Sequence, residues 1–208
     1  MEAYNGNYYN TDDDPHGWKS YWKLYNDGLW ESGTKAFIQS ILKPGDLFVD
    51  IGAWIGPTVL WALEVGATVI AVEPDPVALE ELYAVIPSTS TVEVCPGAVT
   101  VSSGGTILSV NPKEDGALGD SMSRIGTDGI YVPSWTLFEI LGDRIPALVK
   151  IDIEGYEMEL LPSIMPWLAG HKVPMQISCH GALPGLELFR GYSQVVYPTD
   201  LWGDIQCL

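Results

Sequence analysis

Two acids and two glycines are spaced so that they could hold a ribose and an amino-acid cation. Leu47-Phe48-Val49-Asp50 is an apolar run ending in a carboxylate, and Gly52-Ala53-Trp54-Ile55-Gly56 follows at once. Val69-Ile70-Ala71-Val72 is a second apolar run, ending in Glu73 and stopped by Pro74. Read as strand, glycine turn, helix and strand, this places Glu73 at the C-terminal edge of a sheet, where open α/β sheets bind ligands. A carboxylate there accepts both hydroxyls of a ribose. Gly52 and Gly56 permit positive φ and close backbone approach, and the start of the next helix favours a carboxylate. The pattern is Asp-x-Gly-x-x-x-Gly, without the middle glycine of the dinucleotide fingerprint. Asp50 would repel a diphosphate, whereas it could receive an ammonium. A ligand with a cation, an α-amino acid and a ribose suits this end better than NAD. That ligand is S-adenosylmethionine, with Asp50, Gly52, Ala53, Trp54, Gly56, Glu73, Pro74 and Asp152 as expected contacts.

A second acidic group ends the run Ala147-Leu148-Val149-Lys150-Ile151-Asp152 and continues through Ile153-Glu154-Gly155-Tyr156-Glu157. Asp152 and Glu154, two apart at a strand end, can point to one side. Gly155 allows a sharp turn, which puts Glu157 in the first turn of a helix, where carboxylates also serve as dipole and capping partners. His180 closes the following strand in Ile177-Ser178-Cys179-His180-Gly181. A hydroxyl that accepts a methyl group must lose its proton to a base, and burial beside like charges raises a carboxylate's pKa for that work. Asp152 is expected to orient cofactor or substrate, and Glu154 or His180 to take the proton. The same trio could hold a divalent cation, which would lower a hydroxyl's pKa. Oxygen-rich acid clusters need no metal, however, and none is assigned.

The elements that must position these groups alternate. Trp18, Tyr21, Trp22 and Tyr25, then Phe37, Ile38, Ile41 and Leu42, recur at helical spacing, predicting two helical pieces within 18–42. With Trp30 they form either a packing layer or a lid whose ring faces favour a sulfonium. Strands are predicted at 47–52, 68–73, near 91–95, at 106–110, 147–152 and 173–179, and near 194–198 and 204–208. Helices are predicted at about 56–66, 76–86 and 156–168, with a short one at Trp135–Leu141. Residues 111–130 read as a loop, and Asp120, Ser121, Met122, Ser123 and Arg124 within it are candidates for acceptor contact. Residues 1–17 form a polar segment expected to be mobile. Alternation of this kind implies a largely parallel sheet covered on both faces, in one domain.

The 208 residues carry 27 acids against 10 bases, a formal charge of −17, with no basic run to displace counterions from a polyphosphate. Nucleic acid is therefore not an expected partner. Nor does Asp152-Ile153-Glu154-Gly155 match the Asn/Asp-Pro-Pro-aromatic motif of amino-methyltransferases, and Asn111-Pro112 lacks the second proline and the aromatic. Cys95, Cys179 and Cys207 are far apart and suit reduced thiols in a cytoplasmic protein. No run reaches the roughly 18 apolar residues of a membrane span, and no signal-peptide pattern is present.

Lys43-Pro44-Gly45-Asp46 leading into Val49–Pro57 resembles the first motif of class I methyltransferases of the FkbM type, and Ala71–Pro76 resembles the second. Leu148–Glu157 is similar to that family's Lys-Ile-Asp-x-Glu-Gly-x-Glu signature, and Trp135-Thr136-Leu137 to its short Thr-Leu helix. The resemblance runs from about Trp30 to His180. It implies a Rossmann-like α/β fold, a seven-stranded, mostly parallel sheet with helices on both faces, and S-adenosylmethionine over its C-terminal edge. It also implies O-methylation of a small-molecule or sugar hydroxyl. An NAD-dependent oxidoreductase and a non-catalytic module that binds S-adenosylmethionine are the alternatives.

Overall fold

Val49, Ile51, Ile70, Val72, Val149 and Ile151 point to one side of a sheet, and Phe48, Val69, Ala71 and Leu148 to the other. This two-sided burial is why the strands read as continuous apolar runs, as parallel strands covered on both faces do. The structure is a computed structural model and describes residues 17–88, 90–110, 122–180, 184–196 and 203–208. Residues 1–16 of the segment 1–17 expected to be mobile, Asp120, Ser121, Asn111-Pro112, Gly181 and the end of the strand expected at 194–198 lie outside the described residues.

The chain runs α1 (Trp18–Asn26), α2 (Ser32–Ile41), β1 (Leu47–Ile51), α3 (Pro57–Glu64), β2 (Thr68–Glu73), α4 (Pro76–Val85) and β3 (Val92–Pro96). Then follow β4 (Ala98–Val99), β5 (Gly104–Ser109), β6 (Arg124–Ile125), β7 (Ile130–Trp135), α5 (Leu137–Leu141) and β8 (Leu148–Ile151). Last come α6 (Glu157–Gly170), β9 (Met175–Cys179), a 3-10 turn (Leu186–Phe189), β10 (Val195–Val196) and β11 (Gly203–Cys207). The main sheet has seven strands in the order β10-β11-β9-β8-β1-β2-β3. All its pairings are parallel except those of β11 with β9 and β10. One face carries α5 and α6, and the other carries α2 and α3 with α1 and α4 beside them.

The seven-stranded sheet is the expected one, but a second sheet, in the order β4-β7-β5-β6, was not expected. It takes in Arg124–Ile125 and Ile130, where the sequence predicts a loop, and Trp135, where it predicts a helix. Pro133 obscures β7, since proline argues against a central strand. Here β4 pairs with Ser134 and Trp135, and Pro133 precedes that pairing. The helix after β7 starts at Leu137 because Thr136 caps it, accepting from the Glu139 N–H while Glu139 accepts from the Thr136 N–H.

Candidate active site

Strand register builds the polar centre. Asp50 of β1 stands beside Lys150 of β8, and Lys150 beside Gln176 of β9. Side chains alternate along a strand, so Asp50, like Phe48, turns toward the α2–α3 layer. There it accepts a hydrogen bond from Thr58 of α3 and meets Lys150 Nζ at 3.8 Å. Burial pushes the Asp50 carboxyl up to about 6, against the pull of Lys150 and Thr58. Lys150 is 3% exposed and also donates to Asp152 Oδ2 at 3.1 Å. Gln176 Nε2 continues the row to Thr34 Oγ1 of α2 (2.9 Å) and Asp204 Oδ2 of β11 (2.7 Å). A buried ammonium costs several kcal/mol unless paired, and the two aspartates pair this one.

Asp152 follows β8, its N–H bonded to Ile51 O at 2.9 Å. Its Oδ1 faces His180 Nε2 at 2.9 Å, and His180 Nδ1 faces Glu154 Oε2 at 3.3 Å. Desolvation works against the Asp152 charge, yet Lys150 and His180 outweigh it and hold the carboxyl at about 2. The hydrogen bond to Asp152 is the main reason His180 is lifted to about 9. At neutral pH His180 is therefore an imidazolium held between two carboxylates, with no lone pair to act as a base. Glu157, the third acid of the motif, turns back and accepts from the Ile153 and Gly155 N–H groups at 3.0 and 2.9 Å. It fixes the turn that carries Glu154 (φ 53°) and Gly155 (φ 104°).

Asp152, Glu154 and His180 each offer a ligand atom within 4.8 Å of the others. That spacing would admit a divalent ion. The Lys150 ammonium already on Asp152 would compete with one.

The sign of the His180 shift yields an expected pH dependence. A pKa raised above the unfolded value stabilises fully below about 6.5, and the gain is lost as pH rises through about 9. Thermal melts from pH 6 to 10 should show the unsubstituted protein losing more stability than His180→Gln. Parallel curves would remove this pair as the source.

At the other end, Glu73 is 5% exposed. Its Oε2 accepts from the Trp54 N–H at 2.8 Å and its Oε1 from the Asp75 N–H at 2.7 Å. Burial still lifts the carboxyl to about 8. Both oxygens can still hydrogen-bond a ligand hydroxyl, as acceptor or, when protonated, as donor. Gly52 (φ 81°) lies where an added Cβ would fall 1.8 Å from Asp152 O, so the β1 and β8 turns touch through it.

A cavity of about 310 Å3 spans both ends, within the range of small-molecule sites. Of the expected site residues, Gly52, Trp54, Glu73, Pro74, Asp152, Glu154 and His180 line it. Three expected contacts do not line it. Asp50 is sealed under α3, Ala53 is 1% exposed within the core, and Gly56 (φ 94°) packs against Leu82 and Val85 of α4. The expectation that Asp50 takes an ammonium is corrected by strand alternation: its charge serves Lys150. Tyr21, Trp30 and Glu31 roof the cavity, and Val99, Leu108, Ser123, Arg124 and Ile125 wall it. Ser123 is tied to the β2 end by donating to Asp75 Oδ2 at 2.6 Å, whereas Met122 is exposed. Glu31 and the wall residues Val99, Leu108 and Ile125 were not expected from sequence, whereas Ser123 and Arg124 were candidates for acceptor contact. The polar linker holding Glu31 carries no periodicity, and the wall needs β7.

The strand order, with its antiparallel final pair and its cavity over the C-terminal edge, defines a class I methyltransferase fold. The chain matches the methyltransferase FkbM domain over residues 50–177, and it belongs to that family. Among solved structures it is similar to the methyltransferase FkbM of Methylobacillus flagellatus KT, with 16% identity, a TM-score of 0.51, and coverage of 89% of this chain and 53% of that one. It is also similar to MtNAS in complex with MTA and tNA, with 13% identity, a TM-score of 0.51, and coverage of 90% and 60%. A third is an RNA methyltransferase from Salinibacter ruber in complex with S-adenosyl-L-homocysteine, with 14% identity, a TM-score of 0.47, and coverage of 85% and 88%. Among curated proteins none matches. The chain spans about half the length of the FkbM structure it resembles, and at these identities the likeness is one of fold. No helix among the described residues is long and apolar enough to cross a membrane.

Proposed function

We propose that this chain catalyses transfer of a methyl group from S-adenosylmethionine to a hydroxyl of a small molecule or sugar. The observation that carries this reading is one cavity with the buried Glu73 carboxylate at one end and the Asp152–His180–Glu154 group at the other. The residues fit the cofactor: Glu73 would hold the ribose diol, and the Gly52–Trp54 turn would run along the amino-acid side. When bound, the cofactor supplies a methyl group on a sulfonium leaving group, so the protein's main tasks are alignment and exclusion of water. Trp54, Tyr21 and Trp30 close the cavity from above. Asp152, fixed by Lys150 and His180, orients the acceptor hydroxyl. Glu154 takes the proton, since its turn carries it to the cavity and the imidazolium of His180 has no free nitrogen.

Membership of a methyltransferase family displaces the NAD-dependent alternative. The cofactor reading is tested by calorimetric titration with S-adenosylhomocysteine, and the acceptor reading by turnover with a panel of sugars and small alcohols. Glu73→Ala should weaken S-adenosylhomocysteine roughly 10- to 100-fold, the worth of two hydrogen bonds to the ribose diol. Unchanged affinity in that variant would remove Glu73 from the ribose site.

A further inference from the structure

Glu31, Trp54, Glu154 and Lys172 are the non-glycine residues with positive φ among those described, and the first three line the cavity. Strain of this kind gathers at functional sites, where the side chain repays it. Trp54 belongs to the glycine turn and Glu154 to the acidic group. Glu31, with φ 35°, has neither explanation. It precedes α2 but makes no cap bond to that helix's backbone, so a glycine there would meet the backbone requirement more cheaply.

The surroundings of Glu31 indicate what its side chain does. Burial raises the Glu31 carboxyl, and Lys150, Asp152, Asp204 and a side-chain hydrogen bond with Thr34 also act on it. The Tyr21 hydroxyl lies in the field of Glu31 and Asp152. Tyr21 Oη is shut off from solvent and has no hydrogen-bond partner among the described residues. Its ring stands edge-on to Trp54 and Trp30, with centroids 4.4 and 5.1 Å away. Lys150 is already satisfied by Asp50 and Asp152. The Glu31 carboxylate and the unanswered phenolic donor of Tyr21 thus share the cavity lining, with Tyr21 packed on Trp54 of the glycine turn. That set is complementary to a zwitterionic amino acid, and Asp50, the other carboxylate beside the turn, is sealed away from it.

We propose that Glu31, carried in by the α1–α2 pair, recognises the ammonium of the cofactor's amino-acid end, and that Tyr21 Oη donates to the carboxylate of the same end. The assignment rests on the cofactor reading above. It makes the α1–α2 pair a recognition element for one half of the ligand, while Glu73 serves the other half.

The test is calorimetric titration of the full chain and its Glu31→Gln and Tyr21→Phe variants with two ligands. S-adenosylhomocysteine has the amino-acid end, and 5′-methylthioadenosine lacks it. Glu31→Gln should weaken S-adenosylhomocysteine roughly 10- to 100-fold, the range for a hydrogen bond to a charged group, and Tyr21→Phe should weaken it by less. Both should leave 5′-methylthioadenosine within about twofold, which also reports that the variants fold. Equal weakening of both ligands, or unchanged S-adenosylhomocysteine affinity in Glu31→Gln, would overturn the assignment. If the unsubstituted protein binds 5′-methylthioadenosine but gains nothing from the amino-acid end, the assignment fails and the cofactor's nucleoside reading stands. If it binds neither ligand, the cofactor reading fails first.

Discussion

Gly52→Ala is expected to leave no stable folded protein. The added Cβ would fall 1.8 Å from Asp152 O and 2.8 Å from its carbonyl carbon, both backbone atoms. Neither turn can retreat freely. The Gly52 and Ala53 N–H groups bond to Val72 O of β2, and the Asp152 N–H bonds to Ile51 O. The positive φ adds strain to the overlap. A loss beyond about 4 kcal/mol in urea denaturation follows, placing this change among the exceptional ones. Gly17→Ala is the matched control: it is left-handed with φ 75° and ψ 23°, and nothing lies within 4 Å of the added carbon. It should cost only the left-handed penalty of roughly 1–2 kcal/mol. Similar losses in the two variants would mean that the β1 and β8 turns do not touch as described.

Asp152→Ala is expected to fail twice, in stability and in turnover. It leaves the buried Lys150 with only Asp50 Oδ1 at 3.8 Å, and it deprives His180 Nε2 of its partner. Breaking a buried pair from one side costs about 3–5 kcal/mol. Methyl transfer should fall below detection, because the group that orients the acceptor hydroxyl is gone. The pH dependence separates charge from packing. A carboxyl held at about 2 in the fold against about 3.9 unfolded contributes stability that is present above the unfolded value. That stability is lost as pH falls through about 2, so acid unfolding of the native protein should carry this limb and Asp152→Asn should lack it. An Asp152→Asn acid profile that superimposes on the native one would sink the account of the pair.

The main sheet was legible because each strand is an apolar run bounded by glycine or proline, and the glycine turn with Glu73 after it marked the cofactor edge. Asp152, Glu154 and His180 were legible as types at strand ends. Their pairing was not, since sequence does not show that Lys150 would be drawn under them by register with Asp50. Asp50 misled because a strand-end acid looks ligand-facing until the alternation of β1 is fixed. The second sheet escaped because Pro133 interrupts its central strand and two of its members are two residues long. Glu31 escaped because its signal is conformational: a glutamate in a left-handed turn looks in sequence like any surface acid.

Asp50, Lys150, Asp152, His180 and Glu154 alternate in sign from the core to the cavity, and each inner member answers two neighbours. Such a row is inherited as a block. A lineage that replaces Lys150 by an apolar residue strands two aspartates, and one that neutralises Asp152 strands a lysine and a histidine, so the single steps pass through weakened proteins. Paired replacements that remove opposite charges together escape that cost, because neighbouring charges couple and their effects do not add. Divergent descendants of this chain should therefore hold the row whole or exchange its members in opposite-signed pairs.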